Sequence, residues 1–215
     1  ATSSDAVMTS KAALRKTMKT TLRALTAERV VSQSDAIARR LLALPQFRAA
    51  RCISVFLSMP GETQTAGIVR QAFEDGKRVF IPRVEGKNSE DMAMIPLRSY
   101  DTIERDFVLS KWGIPEAPDE YMRSITESEA KQECIDFVVV PGLAFDRQLR
   151  RLGRGKGYYD SFITRLTAAR KEKGLPPPFL AAIAFEEQLV DADVPTNEHD
   201  RRVDLLVLPG QVVEA

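Results

Sequence analysis

IDFVVVPGLAFD, Ile135 to Asp146, is the stretch that decides the fold. Phe137 to Val140 is apolar at every position, without the alternation of a strand that keeps one face in water. Such a run, ended by Pro141-Gly142, reads as a strand buried on both faces and covered by helices. FLAAIAF, Phe179 to Phe185, repeats the pattern. Outward from these, CISVFL (Cys52–Leu57), a helical stretch Ile68–Phe73, and VFI (Val79–Ile81) closed by Pro82 make a β-α-β unit, while MAMIPL (Met92–Leu97) and DLLVL (Asp204–Leu208) add further strands. The expected fold class is α/β: a single-domain, three-layer α/β/α architecture with a mostly parallel central sheet. Residues 1–215 are expected to form that one domain, since no repeat or linker interrupts them.

Two amphipathic helices precede the sheet. Leu14, Met18, Leu22 and Leu25, then Ile37, Leu41 and Leu44, recur at helical spacing between Met8 and Leu44, with Thr26 as the N-cap of the second helix and Pro45 as its stop. Residues 1–9 are expected to be flexible. The early cations Lys11, Arg15, Lys16, Lys19 and Arg23 superficially resemble a transit peptide, but an ordinary solvated helix face is the simpler reading. Glu116–Glu133 is acid-rich and reads as a solvated helix or loop, and Arg170–Pro178 as a surface turn.

Composition removes several function classes. With 31 Lys+Arg against 30 Asp+Glu, the chain has a formal net charge of +1, too little to recruit nucleic acid or an anionic membrane by its overall field. The longest apolar run, FLAAIAF, is far short of the roughly 20 residues of a membrane-spanning helix. Two scattered cysteines, Cys52 and Cys134, do not make a secreted disulfide framework, so a reducing, cytoplasmic compartment is expected, a mitochondrial one being the alternative. A single histidine, His199, with neither C-x-x-C, H-E-x-x-H nor G-x-S-x-G, leaves zinc chemistry and a Ser-His-Asp hydrolase without support.

The chemistry concentrates in RQLRRLGRGKGYYDSFI, Arg147 to Ile163. Gly153, Gly155 and Gly157 leave alternate positions without a β-carbon, Arg154 and Lys156 supply charge between them, and a helical segment follows. A glycine loop feeding a helix N-terminus is a phosphate site in kind. It is neither a P-loop nor a dinucleotide fingerprint. RNA contact, with Tyr158 and Tyr159 as stacking platforms, and a merely flexible loop remain alternatives on these residues alone. Asp160, a turn further on, favours phosphate: a carboxylate there can carry Mg²⁺ opposite phosphate oxygens, or else complement the helix end.

PGLAFD followed by RLGRGKGYYD (Arg151–Asp160) resembles the 5-formyltetrahydrofolate cyclo-ligase family, also called methenyltetrahydrofolate synthetases. Further similarities run in the same order: KAALR (Lys11–Arg15), FLSMPGE (Phe56–Glu62), IPR (Ile81–Arg83), WGIP (Trp112–Pro115) and VPTNEHDRRVD (Val194–Asp204). The resemblance implies an enzyme that uses ATP and Mg²⁺ to close 5-formyltetrahydrofolate, polyglutamylated or not, into 5,10-methenyltetrahydrofolate with release of ADP and phosphate. It implies a monomer with no nucleic-acid or membrane partner.

Carried over position by position, the resemblance assigns ATP to Lys11, Arg15, Arg151, Leu152, Gly153, Arg154, Gly155, Lys156, Gly157, Tyr158 and Tyr159. It assigns the folate to Leu57 and Glu62 together with Arg154, Gly155, Lys156, Gly157 and Tyr158, the metal to Asp160 and Asp200, and the catalytic roles to Lys156, Arg154 and Tyr158. Trp112 walls the folate pocket or fills the core, and His199 is a solvated or capping residue. Two departures stand out. Leu149 occupies a position where the family has glycine, so the bend there is expected to differ, and Ala117 adds a residue that withholds a ligand role from Glu116 and Pro118. Such a reaction demands alignment and charge neutralisation more than a nucleophile, so one histidine is no handicap.

Overall fold

The computed structural model describes residues 3–111 and 113–214, with side chains from residue 10 onward. Helices α1 (Ser3–Arg23) and α2 (Ala27–Ala43) lead through the short α3 (Pro45–Ala49) to β1 (Cys52–Ser54), α4 (Ala66–Glu74) and β2 (Arg78–Val84), the expected β-α-β unit. β3 (Met92–Leu97) returns antiparallel along β2. A peripheral excursion carries α5 (Asp101–Asp106), the hairpin β4 (Val108–Leu109) and β5 (Pro115–Glu116), and α6 (Asp119–Ser124). The chain re-enters the sheet at β6 (Phe137–Val140), makes the hairpin β7 (Ala144–Phe145) and β8 (Arg151–Leu152), and continues through α7 (Tyr158–Glu172), β9 (Phe179–Ile183), β10 (Leu205–Val207) and β11 (Val212–Glu214).

The central sheet has the order β11-β10-β9-β6-β1-β2-β3. The five inner strands are parallel and both edges antiparallel. Alternate residues of each strand serve opposite faces. Ile53, Val79, Phe137, Val139, Ala181 and Val207 pack with α2, α3 and α4, whereas Phe80, Val138, Val140, Ala182 and Leu206 pack with Phe162, Ile163 and Leu166 of α7. The three layers are therefore those the continuous apolar runs imply. α1 stands apart, its Met18 packed with Leu143, Ala144 and Leu152 over the β7–β8 hairpin.

Local details refine the sequence reading. Thr26 caps α2 as expected, accepting the Arg29 N–H at 3.2 Å. Pro45 lies just beyond the end of α2 and opens α3, where its missing N–H costs nothing. Pro82 does not close its strand: β1 pairs with β2 only as far as Phe80, so Pro82 breaks no ladder bond on that side and β2 runs on to Val84. The acid-rich segment is not wholly solvated, because Tyr121 of α6 is buried and donates to the Pro96 carbonyl at 2.8 Å. Cys52 and Cys134 are not scattered thiols; parallel pairing of β1 and β6 brings them together as a disulfide, with Cα atoms 5.9 Å apart. Of the stretch expected to be flexible, residues 1 and 2 lie outside the described residues and the backbone from Ser3 is helical. Trp112 also lies outside them. Among the described residues no helix is long and apolar enough to cross a membrane.

Candidate active site

The strand order places the site. From β1 the chain moves one way to β2 and β3, then crosses to β6 on the other side of β1 and continues away through β9 and β10. Between β1 and β6 the direction reverses, and in open α/β sheets the crevice beyond the strands' carboxyl ends at such a point is where ligands bind. The two loops that leave there are Phe56–Thr65 and Pro141–Gly157, which carry Glu62 and the glycine-rich sequence. A narrow crevice lies between them, lined by Phe56, Glu62, Pro141, Gly142 and Arg154, with Leu22 of α1 and Gln188 beyond β9.

Each loop is built by its own polar contacts. Glu62 is fixed by a tight turn in which its N–H donates to the Met59 carbonyl at 3.0 Å and its Oε2 accepts the Met59 N–H at 2.9 Å. On the other side, the buried Asp146 carboxylate accepts the N–H groups of Gln148 (2.9 Å), Arg150 (3.1 Å) and Val194 (2.8 Å), and Nε of Arg150 (2.7 Å). Burial alone would raise its pKa, but these donors and the Arg150 charge hold it below the usual aspartate range. Leu149 sits at φ 62, in the left-handed region that glycine ordinarily takes, with its side chain buried in the cluster that holds Phe145 and Phe162.

Beyond that turn the cations converge. Arg151, almost fully buried, donates to the Pro141 carbonyl at 3.2 Å and to Asp160 Oδ2 at 2.8 Å. Arg154 reaches across the crevice and pairs with Glu62 Oε1 through Nε and Nη2. Gly155 at φ 104 and Gly157 at φ 71 take backbone conformations that other residues rarely adopt, and Gly157 is the N-cap of α7, whose first-turn N–H groups lack intrahelical partners. Lys156, exposed between them, makes no ion pair among the described residues. α1 contributes the pair expected to share a target: Lys11 is buried against Asp200, and Arg15 Nε donates to the Gly153 carbonyl at 2.9 Å. They are not solvated cations.

Two groups here are suited to an anion. Arg151 Nε and the Tyr159 hydroxyl are buried without hydrogen-bond partners, an arrangement that costs free energy unless a polar group meets them. Burial, and secondarily the Glu62 charge, push the Tyr159 hydroxyl well above the usual tyrosine pKa, so it stays a donor. The segments of the two expected metal carboxylates adjoin, Asp160 Oδ1 accepting the N–H of Arg201, next to Asp200, at 2.9 Å, while no cluster of three or more metal-ligating side chains occurs among the described residues. Both carboxylates are held by protein cations, Asp160 by Arg151 and Asp200 by Lys11. Mg²⁺ sites commonly join one or two carboxylates with phosphate oxygens, a set to which Asp160 and Asp200 could contribute.

Other assignments fall differently. Leu57 is half-buried against the α2 side of the core, and its neighbour Phe56 lines the crevice. Leu152 is buried under α1, leaving its backbone alone to face a ligand. Tyr158 donates its hydroxyl to the Gly86 carbonyl at 3.0 Å, tying the β2–β3 connection to the glycine loop. His199 is solvated. Sequence reasoning missed Asp146, Gln188, whose Nε2 donates to the Gly142 carbonyl at 2.8 Å, and the β2–β3 connection; only Asp146, two residues after an apolar turn, carried a signal.

Fold and site together define an α/β protein with a cationic, glycine-rich loop at the switch point of a mostly parallel sheet. Residues 7–209 match the family described as the 5-formyltetrahydrofolate cyclo-ligase family. The 5-formyltetrahydrofolate cyclo-ligase of Mus musculus is 36% identical over 92% of this chain and 93% of its own length. A mitochondrial 5-formyltetrahydrofolate cyclo-ligase of Arabidopsis thaliana is 32% identical over 97% of this chain and 77% of its own. The solved structure of Aquifex aeolicus 5,10-methenyltetrahydrofolate synthetase is similar with a TM-score of 0.71 and 25% identity, covering 95% of this chain and 92% of that one. The chain belongs to the 5-formyltetrahydrofolate cyclo-ligase family, and is an enzyme of the ligase class, as the motif resemblance implied.

Proposed function

We propose that this protein cyclises 5-formyltetrahydrofolate to 5,10-methenyltetrahydrofolate at the expense of ATP, with Mg²⁺ bound. What carries the reading is the pairing of a glycine-rich cationic loop with the Glu62 loop across the switch-point crevice, in a chain of this family. A formamide carbonyl is a weak electrophile because nitrogen donates into it, so its oxygen must first become a leaving group. The formyl oxygen attacks the γ-phosphorus of ATP; the new O–P bond replaces the P–O bond to the β-phosphate, and ADP leaves. N10 then attacks the activated formyl carbon, the carbon–oxygen bond breaks, phosphate departs, and the N10 proton is lost.

In this reading Lys156, Arg154 and the α7 N-terminus stabilise charge on the transferred phosphoryl group, with Gly153, Gly155 and Gly157 bringing backbone N–H groups close. Lys11, Arg15 and Arg151 with Leu152, Tyr158 and Tyr159 hold the rest of the nucleotide, Tyr159 donating from its buried hydroxyl. Glu62 accepts from the polar edge of the folate, Leu57 and Tyr158 complete that site, and Asp160 and Asp200 hold the Mg²⁺. The ion, when bound, neutralises phosphate charge. The protein works as a monomer, one domain over 1–215, in the cytoplasm or a mitochondrion, on free or polyglutamylated substrate and without nucleic-acid or membrane partners.

Purified protein given ATP, Mg²⁺ and 5-formyltetrahydrofolate is expected to develop the absorbance of the methenyl product, one phosphate released per ring closed. Nucleotide consumption without that product would reassign the substrate. Product formation without nucleotide consumption would refute the mechanism.

A further inference from the structure

We infer that Arg154 masks Glu62 while the crevice is empty, a strap whose transfer to phosphate frees the carboxylate and makes nucleotide and folate bind cooperatively. The inference rests on the proposed ligands of this crevice. Glu62 lies on the loop after β1 and Arg154 on the loop after β6, 92 residues further along the chain, and their ion pair bridges the two walls of the crevice that both side chains line. Both oxygens of Glu62 are engaged: Oε2 by the Met59 N–H in its own turn and Oε1 by two N–H groups of Arg154. A ligand presenting paired N–H donors therefore meets a carboxylate already neutralised by a guanidinium.

The competition favours phosphate. Arg154 is 44% exposed and Glu62 17%, so the pair sits at the crevice's wet side, where such pairs are weak and exchange partners cheaply. A phosphate group offers the guanidinium a doubly charged, bidentate partner in a loop that already gathers Lys156 and the α7 N-terminus. Once Arg154 turns to it, Oε1 regains its charge and open lone pairs while Oε2 keeps the turn in place. The Met59 contact is what makes this a switch: Glu62 stays aimed when its partner leaves. Because the pair is weak, the coupling is modest, about two- to fivefold in affinity, and linkage requires it to be the same in both directions.

The test measures the dissociation constant of 5-formyltetrahydrofolate by titration calorimetry, with and without saturating β,γ-imido-ATP and Mg²⁺, and then the reverse. The wild type is expected to bind folate two- to fivefold more tightly with the analogue present, and the analogue more tightly by the same factor with folate present. In Arg154→Gln, with analogue raised to that variant's own saturation, the two folate constants are expected to coincide; in Glu62→Gln folate weakens in both conditions and the ratio also falls toward one. A wild-type ratio of one with both ligands bound overturns this inference and leaves the proposed function standing. So does an Arg154→Gln ratio equal to that of the wild type. Failure of the wild type to bind folate at all overturns the proposed function and the strap with it.

Discussion

Replacing Leu149 by glycine and by alanine puts the geometry of the glycine-rich hairpin to a quantitative test, because the two substitutions separate burial from backbone strain. Leu149 is 2% exposed, packs in the α7-side core, and holds φ at 62, with its N–H on the Asp146 carbonyl at 3.0 Å and its carbonyl accepting the Val203 N–H at 3.1 Å. Leu149→Ala removes the buried side chain and keeps the left-handed backbone, at a cost of about 2–5 kcal/mol. Leu149→Gly loses the same packing but recovers the ~1–2 kcal/mol that a β-carbon costs in this conformation. Both variants are therefore destabilised, yet glycine is expected to be the better of the two by about 1 kcal/mol. At an ordinary strand or helix position the order is reversed, glycine being worse than alanine by roughly 0.5–1 kcal/mol. For a chain of this size the difference amounts to about 2–4 °C in Tm, readable by thermal and urea unfolding followed by circular dichroism. An alanine variant as stable as the glycine variant, or more so, would refute the left-handed bend and the reasoning that Leu149 is held there by its burial.

Lys156→Ala is expected to reduce turnover at saturating ATP by at least tenfold, about 1.4 kcal/mol of transition-state stabilisation; an unchanged steady-state rate would take Lys156 out of the chemistry. Asp160→Asn should raise the Mg²⁺ concentration that gives half-maximal rate, whereas an unshifted titration would leave Asp160 as the partner of Arg151 and of the Arg201 N–H alone. The depressed pKa of Asp146 means that the unfolded chain binds its proton more readily, so the carboxylate's stabilisation is present above the usual aspartate range and is lost as pH falls through the native value. Asp146→Asn should therefore cost about 3 kcal/mol at neutral pH and flatten the acid limb of the stability curve; an acid limb identical to that of the wild type would remove Asp146 as its source.

The layers were legible because burial on both faces leaves a mark that one-dimensional patterning can carry: FVVV at Phe137–Val140 and FLAAI at Phe179–Ile183 have no wet side to alternate with. Direction was not legible. Met92–Leu97 is as continuously apolar as the inner strands, yet it is an antiparallel edge, covered on one side by α7 and on the other by Tyr121, and nothing in its own residues records which neighbours lie over it. The glycine loop could be read because positive φ restricts the residue type at Gly155 and Gly157, whereas Leu149 hides an equivalent conformation behind a side chain that ordinarily avoids it. Pairings across the site were beyond any local reading. Lys11 meets Asp200 from 189 residues away, and Arg154 meets Glu62 from 92, distances that only the reversal of strand order between β1 and β6 makes short.

That reversal also gathers a cluster of cations in a chain with a net charge of +1. Lys11, Arg151 and Arg154 each meet a carboxylate drawn from a different segment: Asp200 beyond β9, Asp160 in α7 and Glu62 after β1. Brought together alone, the three cations would repel one another, and Lys11 and Arg151, both nearly buried, would lose hydration with nothing in return. Paired, they fold at little cost and hold the ends of α1, α7 and the two crevice loops in register. On the proposed function the carboxylates answer from the other side, Asp160 and Asp200 exchanging their cations for a metal and Glu62 exchanging Arg154 for a neutral donor. On the proposed function, a nucleotide and its metal would enter as an exchange of partners, with phosphate taking the cations and the metal the carboxylates. This asks far less desolvation of the site than inserting a tetraanion among bare charges.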